Sequence, residues 1–273
     1  MSQPNKNSVG YTIKIAFLVC LACAVVVSTA AVALRDLQER NVVLDIKRNV
    51  LIAAGIFEPS RSIEEQFLDI TTRVINLQTG EFVDHIDPET FENRTAARDP
   101  EMSRALSRQE DTAGLSRLEN YSLVYFRGDE NNFEQMILPV RGAGLWSTLH
   151  GFIALESDLN TIVGLGFYEH GETPGLGGEI DNPRWQAQWT GQRVFAESDS
   201  DKQEVALRVT RAGQADSSSP HEIDGLSGAT LTARGVDNMV KFWMGDMGFA
   251  PFLRQMKARQ AEPDLAAVTV EGI

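Results

Sequence analysis

The sequence predicts an α+β protein: one N-terminal membrane-crossing helix, then a soluble domain with a mainly antiparallel sheet and flanking helices. Three observations predict it. No charged residue occurs from Ile15 to Leu34. From Tyr121 onward, short apolar runs alternate with turn-forming residues, as strands joined by tight turns do. Nearer the C-terminus, apolar residues recur at helical spacing.

The apolar run Ile15 to Leu34, rising about 1.5 Å per residue, is long enough to cross a hydrocarbon core of about 30 Å. Ala31-Val32-Ala33 satisfies a small-x-small cleavage rule, but a signal peptide has a shorter apolar core of roughly 7 to 15 residues, so an uncleaved anchor is expected. Lys6 and Lys14 precede the span, and Arg35, Arg40, Lys47 and Arg48 follow it. Counted literally, these charges place the short terminus outside, although long domains translocate largely regardless of charge. The only cysteines, Cys20 and Cys23, lie inside the span, so the rest of the chain can form no intrachain disulfide. Their i, i+3 spacing permits a redox or iron–sulfur role; the surrounding Ala, Ser and Thr favour close packing against a neighbouring helix.

Past the span, Val43, Ile46, Val50 and Leu51 give Asp36 to Ala54 one apolar helical face. Ser62-x-x-Glu65 resembles a capping box before a helix through Thr72, and Val74 to Val83 reads as a hairpin turning at Gln78-Thr79-Gly80. Asp84 to Asn120 is polar and short of β-branched residues, an insertion with loose or short helical structure. Strands are expected at Tyr121 to Arg127, Gln135 to Val140, Gly151 to Leu155 and Thr161 to Tyr168, with another where Val205, Leu207 and Val209 alternate with polar neighbours. Short connections favour antiparallel pairing. Helices are expected near Pro183 to Trp189, Ala233 to Met244 and Phe252 to Ala258. The resulting divisions are 1–14, a membrane helix at 15–34, a helical lead-in and insertion at 35–120, a ligand-binding domain at 121–260 and a tail at 261–273.

A net charge of −13 argues against a nucleic-acid partner. His85, His150, His170 and His221 show no ligand spacing, so no metal site is expected.

Two segments carry candidate chemistry. Asp224-Gly225-Leu226-Ser227-Gly228-Ala229-Thr230 has two glycines that free the backbone for close approach to a bulky ligand. Val236, Met239, Val240 and Trp243 follow at i, i+3, i+4 and i+7, so a helix begins near Thr230, with Ser227 or Thr230 as its expected N-cap. Such a terminus offers unpaired N–H donors and a positive dipole end to a phosphate; the same cluster also reads as an ordinary cap and turn. The second segment, Glu169-His170-Gly171-Glu172-Thr173-Pro174-Gly175-Leu176-Gly177-Gly178, follows a strand-like run. Its glycines and proline make a conformationally special loop, although Gly175-x-Gly177 lacks the full dinucleotide fingerprint.

Asp-x-x-Ser-Gly-Ala-Thr resembles the signature of FMN-binding domains that a dedicated transferase flavinylates, joining the FMN phosphate to the final threonine. Thr232, Gly235 and Val236, the Glu172 to Gly177 loop and the N-terminal span are similar to those of the C subunits of the sodium-translocating NADH:quinone oxidoreductases. The resemblance implies covalent FMN on Thr230, with Ser227, Gly228 and Ala229 around the attachment point. It implies Thr173, Gly175, Leu176 and Gly177 beside the isoalloxazine or ribityl chain, with Glu172 in the same loop. Asp224 then helps the transferase recognise the loop, or forms an Asx turn. Trp146 stacks on the ring, or packs at a strand end.

The implied function is electron relay within a membrane complex that exports sodium. The chemistry resides in the flavin, so no catalytic acid or base is expected from this chain. No independent NADH site is expected either. The implied partners are the other membrane subunits, a flavin transferase and the bacterial inner membrane, with a cytoplasmic N-terminus and the bulk of the chain periplasmic. The flavin subunit of the related Rnf complex is the nearest alternative. A membrane-tethered, non-redox binding domain is the alternative of another class.

Overall fold

The computed structural model describes residues 9–196 and 204–261. It divides into two compact units, Met1–Ile46 and Lys47–Ile273.

Helix α1 (Val9–Ala53) supplies the described part of the first unit. Residues 15–34 are exposed without exception, and the most apolar 18-residue window has mean hydropathy 2.7, so the helix is long and apolar enough to cross a membrane. The helix expected from Asp36 is the continuation of α1. Neither Gly nor Pro separates it from the apolar run, so nothing interrupts the hydrogen-bond ladder.

The second unit is α+β, built on a five-stranded antiparallel sheet of order β1-β4-β5-β6-β7. Its strands are β1 (Ile70–Asn76), β4 (Tyr121–Asp129), β5 (Asn132–Ala143), β6 (Thr148–Glu156) and β7 (Ile162–Glu169). Leu149 to Leu155 is buried at every position, as a central strand covered on both faces must be. In the main core, Phe126, Met136, Leu138 and Val140 of the sheet cluster with helices α5 (Thr230–Met244) and α6 (Ala250–Ala261), through Met239, Trp243 and Phe252. A separate aromatic chain runs from Phe67 through Tyr125 and Phe152 to Tyr168.

Helix α5 buries the stripe read from its periodicity: Val236, Met239, Val240 and Trp243. Trp243 Nε1 donates to the Arg141 carbonyl at 2.7 Å, tying α5 to β5. At Gly235 the helix crosses β5 so closely that a Cβ would lie 2.3 Å from the Ala143 carbonyl oxygen. Only glycine permits that approach.

Four expectations require correction. Ser62 does accept from the Glu65 amide at 3.2 Å, but α2 (Ile63–Gln66) gives way to a 3-10 turn at Phe67–Asp69 and then to β1. Thr71, Thr72 and Val74 therefore lie in a strand paired with β4, where β-branched side chains are at home. The polar insertion is also more ordered than expected, with α3 (Asn93–Arg98) and a hairpin of β2 (Ser103–Ala105) and β3 (Arg117–Glu119). It is fastened to the sheet by the buried Glu119–Arg141 pair and by the Ala143 amide, which donates to the Ala113 carbonyl at 2.7 Å. The strand expected at 205–209 shrinks to β8 (Arg208–Val209), which pairs in parallel with β9 (Glu222–Ile223). In place of the helix to Trp189 stands the single turn α4 (Pro183–Gln186), begun by the Asn182 cap and Pro183.

Candidate functional site

Three segments converge beside the first turn of α5. They are the connection 144–147 between β5 and β6, the loop 170–176 after β7 with the 3-10 turn Gly177–Asp181, and the heptad 224–230. Heptad and loop meet where a Cβ on Gly228 would lie 3.3 Å from Leu176 Cδ2. Gly228 has φ +75°, a left-handed conformation that carries the chain into the helix.

The N-cap of α5 is Ala229, which corrects the expectation of Ser227 or Thr230. Alanine has no side-chain acceptor, no side-chain cap bond forms, and the first turn contains no acidic residue. The helix thus presents its first N–H groups without a side-chain cap, and the nearest internal negative charge is the Glu172 carboxylate bonded to Thr232. Thr230 occupies the first helical position and is exposed. The hydroxyl two residues on is in a different state: Thr232 is buried and donates to Glu172 Oε2 at 2.5 Å. Of the two helix threonines, only Thr230 is exposed.

Four large apolar side chains in these segments and the first turn of α5 are solvent-exposed: Leu145, Trp146, Leu176 and Leu231, with Trp146 at 70%. Among the other described residues of the second unit only Ile52 and Leu68 share that property, so exposed apolar surface is concentrated here. Leu145 and Leu231 were missed by sequence reasoning; each adjoins a motif residue, and a leucine in a loop or on a first helical turn gives no sign of its exposure. A groove of about 340 Å³, lined among others by Phe57, Arg61, Asp69 and Arg127, shares no residue with these segments.

The remaining expected residues fall into two groups. Thr173, Gly175 and Ser227 are exposed, and the Thr173 carbonyl accepts from Leu176 N and Gly178 N, which folds the loop back on itself. Glu172 and Gly177 are buried beneath them. Asp224 braces a neighbouring loop: its carboxylate accepts from Gln214 N and Ala215 N, and its carbonyl accepts from Trp185 Nε1 at 2.9 Å. Ser147, another residue the sequence did not single out, accepts from the Gly171 amide at 2.5 Å and joins two of the segments.

Beside the site, Arg94 forks onto Glu169 with two 2.7 Å bonds, holding the Glu169 carboxyl below the usual carboxylate range. Burial, reinforced by the Arg94 charge, pushes His150 down to about 4, so this imidazole is neutral at physiological pH. Among the described residues, no three His, Cys, Asp or Glu side chains gather as metal ligands.

Residues 144–245 match the family described as FMN-binding domain. Over 265 residues the chain is 45% identical to the C subunit of the Na(+)-translocating NADH-quinone reductase of Pseudomonas aeruginosa, covering 94% of this chain and 99% of that one. It is 43% identical to the corresponding C subunit of Yersinia pestis, covering 93% and 95%. Among solved structures, Shewanella oneidensis NqrC superposes with TM-score 0.70 at 34% identity, covering 78% of this chain and 96% of that one. The structure of the C subunit from Parabacteroides distasonis superposes with TM-score 0.62 at 27% identity, covering 81% and 96%. The chain therefore belongs to the NqrC family, the C subunits of Na(+)-translocating NADH-quinone reductases, with an FMN-binding domain that contains all three converging segments.

Proposed function

We propose that this chain carries FMN as a phosphodiester on Thr230 and relays electrons between other redox centres of a sodium-exporting NADH:quinone oxidoreductase. One observation carries the reading: an exposed threonine stands on a helix N-terminus without a side-chain cap, and the segments that converge on that helix carry the exposed side chains of Leu145, Trp146 and Leu176, with Leu231 next in sequence. The phosphate meets N–H donors and a positive dipole end, and the isoalloxazine meets apolar and aromatic surface. The residues present fit both ends of FMN.

A threonine hydroxyl is a weak nucleophile and needs activation. No described side chain bonds to Thr230 as a base, so the proton must be taken by a partner flavin transferase with its own base or metal. Thr232 cannot compete, because its hydroxyl is buried and engaged. Bound FMN supplies the one- and two-electron chemistry; the chain's residues supply attachment, orientation and a local field. A phosphodiester retains one negative charge where the free monoester carries nearly two, and that single charge suits the end of one helix.

The reading places α1 in the bacterial inner membrane and the second unit on the periplasmic side, where a covalent link prevents loss of the cofactor. The NADH site belongs to another subunit. The test is co-expression with a flavin transferase, followed by ultraviolet illumination of a denaturing gel. The wild-type chain should give a fluorescent band that Thr230→Val abolishes; a dark wild-type band in the presence of transferase would refute the attachment.

A further inference from the structure

We propose that Glu172 is a positioning residue: its buried carboxylate latches its own glycine loop to the β5–β6 connection and to the first turn of α5, and its negative charge lowers the reduction potential of the flavin. The proposal rests on FMN being held at Thr230.

The latch is visible in the bonds. Glu172 is 5% exposed, and its Oε1 accepts from the amides of Leu145 and Trp146, both at 2.9 Å. Its Oε2 accepts from the Thr232 hydroxyl at 2.5 Å. One carboxylate thus joins the 170–176 loop to the Trp146 connection with one oxygen and to the first turn of α5 with the other. Two consecutive amides aimed at one oxygen set the backbone path on which Leu145 and Trp146 are displayed.

The surroundings are built for that group. A Cβ on Gly144 would lie 2.5 Å from Oε1, and a Cβ on Gly177 would lie 2.6 Å from Oε2 and from Thr232 Oγ1. Each of the two loops therefore contributes a glycine where the carboxylate needs room. The Glu172 amide donates to His170 Nδ1 at 3.2 Å, and His170 Nε2 meets Asp181 Oδ2 at 2.7 Å. With Nδ1 accepting, the ring proton resides on Nε2 and points at Asp181. The main chain of Glu172 is thereby held as well as its side chain.

The charge follows from the partners. Glu172 accepts three hydrogen bonds, the acceptor-only pattern of a carboxylate, and among the described residues no Lys, Arg or His forms an ion pair with it. Dipoles satisfy its lone pairs without cancelling its net charge. Next to a group that becomes more negative on reduction, an uncancelled negative charge in a poorly solvated setting favours the oxidised form. Glutamine preserves the geometry while removing the charge: its Oε1 accepts the two amide bonds, and its Nε2 donates to the Thr232 hydroxyl oxygen.

The test uses the full chain, co-expressed with the transferase, purified in detergent and checked for in-gel flavin fluorescence. Spectroelectrochemical titration and visible circular dichroism of the bound flavin are then recorded. E172Q should keep the wild-type dichroism of its bound flavin and titrate at a higher midpoint potential. E172A, G144A and G177A should alter the dichroism, because Trp146 and the loop lose their common anchor. A dark wild-type band overturns the attachment at Thr230. A loaded wild type whose E172Q variant keeps the same potential overturns the role of the charge, and unchanged dichroism in loaded E172A overturns the latch. If E172A fails to fold, G144A and E172Q decide the matter.

Discussion

Glu119 and Glu172 are both almost completely buried, at 2% and 5% exposure, yet they are satisfied in opposite ways. Glu119, on β3 of the insertion, faces the guanidinium of Arg141 on β5; burial pushes its pKa up, and the arginine pulls it back. Glu172 has no cation and rests on two amides and a hydroxyl. The contrast separates a charge that fastens one part of the fold to another from a charge without an ion-pair partner beside the proposed flavin site. Neutralising the first leaves its buried partner charge unpaired; replacing the second by glutamine keeps the two amide bonds, reverses the one to Thr232 and removes a field.

The largest effect should come from breaking the first pair. Glu119→Ala strands Arg141, whose Nε already lacks a partner, and should cost about 3–5 kcal/mol in chemical denaturation. Flavin loading should persist in whatever fraction folds. Glu119→Leu combined with Arg141→Met should recover that loss, since apolar replacement of a whole buried pair is commonly neutral or stabilising. Failure of the double variant to recover would mean that the pair does more than join the insertion to the sheet.

A pH series sharpens the comparison with a third buried group. His150 titrates at about 4 in the folded chain, below its ordinary 6.5, first because it is buried and then because Arg94 is near. The folded state thus prefers the neutral ring. The associated stability is fully present above about pH 6.5 and is lost as pH falls toward 4, where the unfolded chain binds the extra proton. Thermal midpoints across that window should fall more steeply for wild type than for His150→Gln; parallel curves would dismiss the group as a source of acid sensitivity. The smallest effect is expected at the N-cap. Ala229→Ser should stabilise the flavin-free chain by about 1 kcal/mol and, on the proposed attachment, reduce loading by the transferase, since its hydroxyl takes up a helix N–H that no side chain caps.

Much of the architecture could be read from local patterns. The strands from Tyr121 and the buried stripe of α5 follow from periodicities of two and 3.6, because each element buries one face against an existing layer. Local signals misled where distant pairing overrode them. Ser62 forms its cap, but the chain turns extended at Ile70 because β4 offers a sheet edge. The insertion gains order from contacts with Ala143 and Arg141 on β5. At the site, Thr230 and the glycine loop were legible as motifs. The absence of any side-chain cap on α5 was not, because Ser and Thr near a helix start predict the opposite.

Contiguous residues alone specify the membrane-length helix, the antiparallel class of the sheet and the glycine-bearing heptad before α5. Tertiary packing settles which hydroxyl is presented and which is engaged, which apolar side chains stay in solvent, and what surrounds Glu172. The physical reason is distance along the chain. A buried carboxylate must find its donors wherever the fold brings them, and here they come from 26, 27 and 60 residues away.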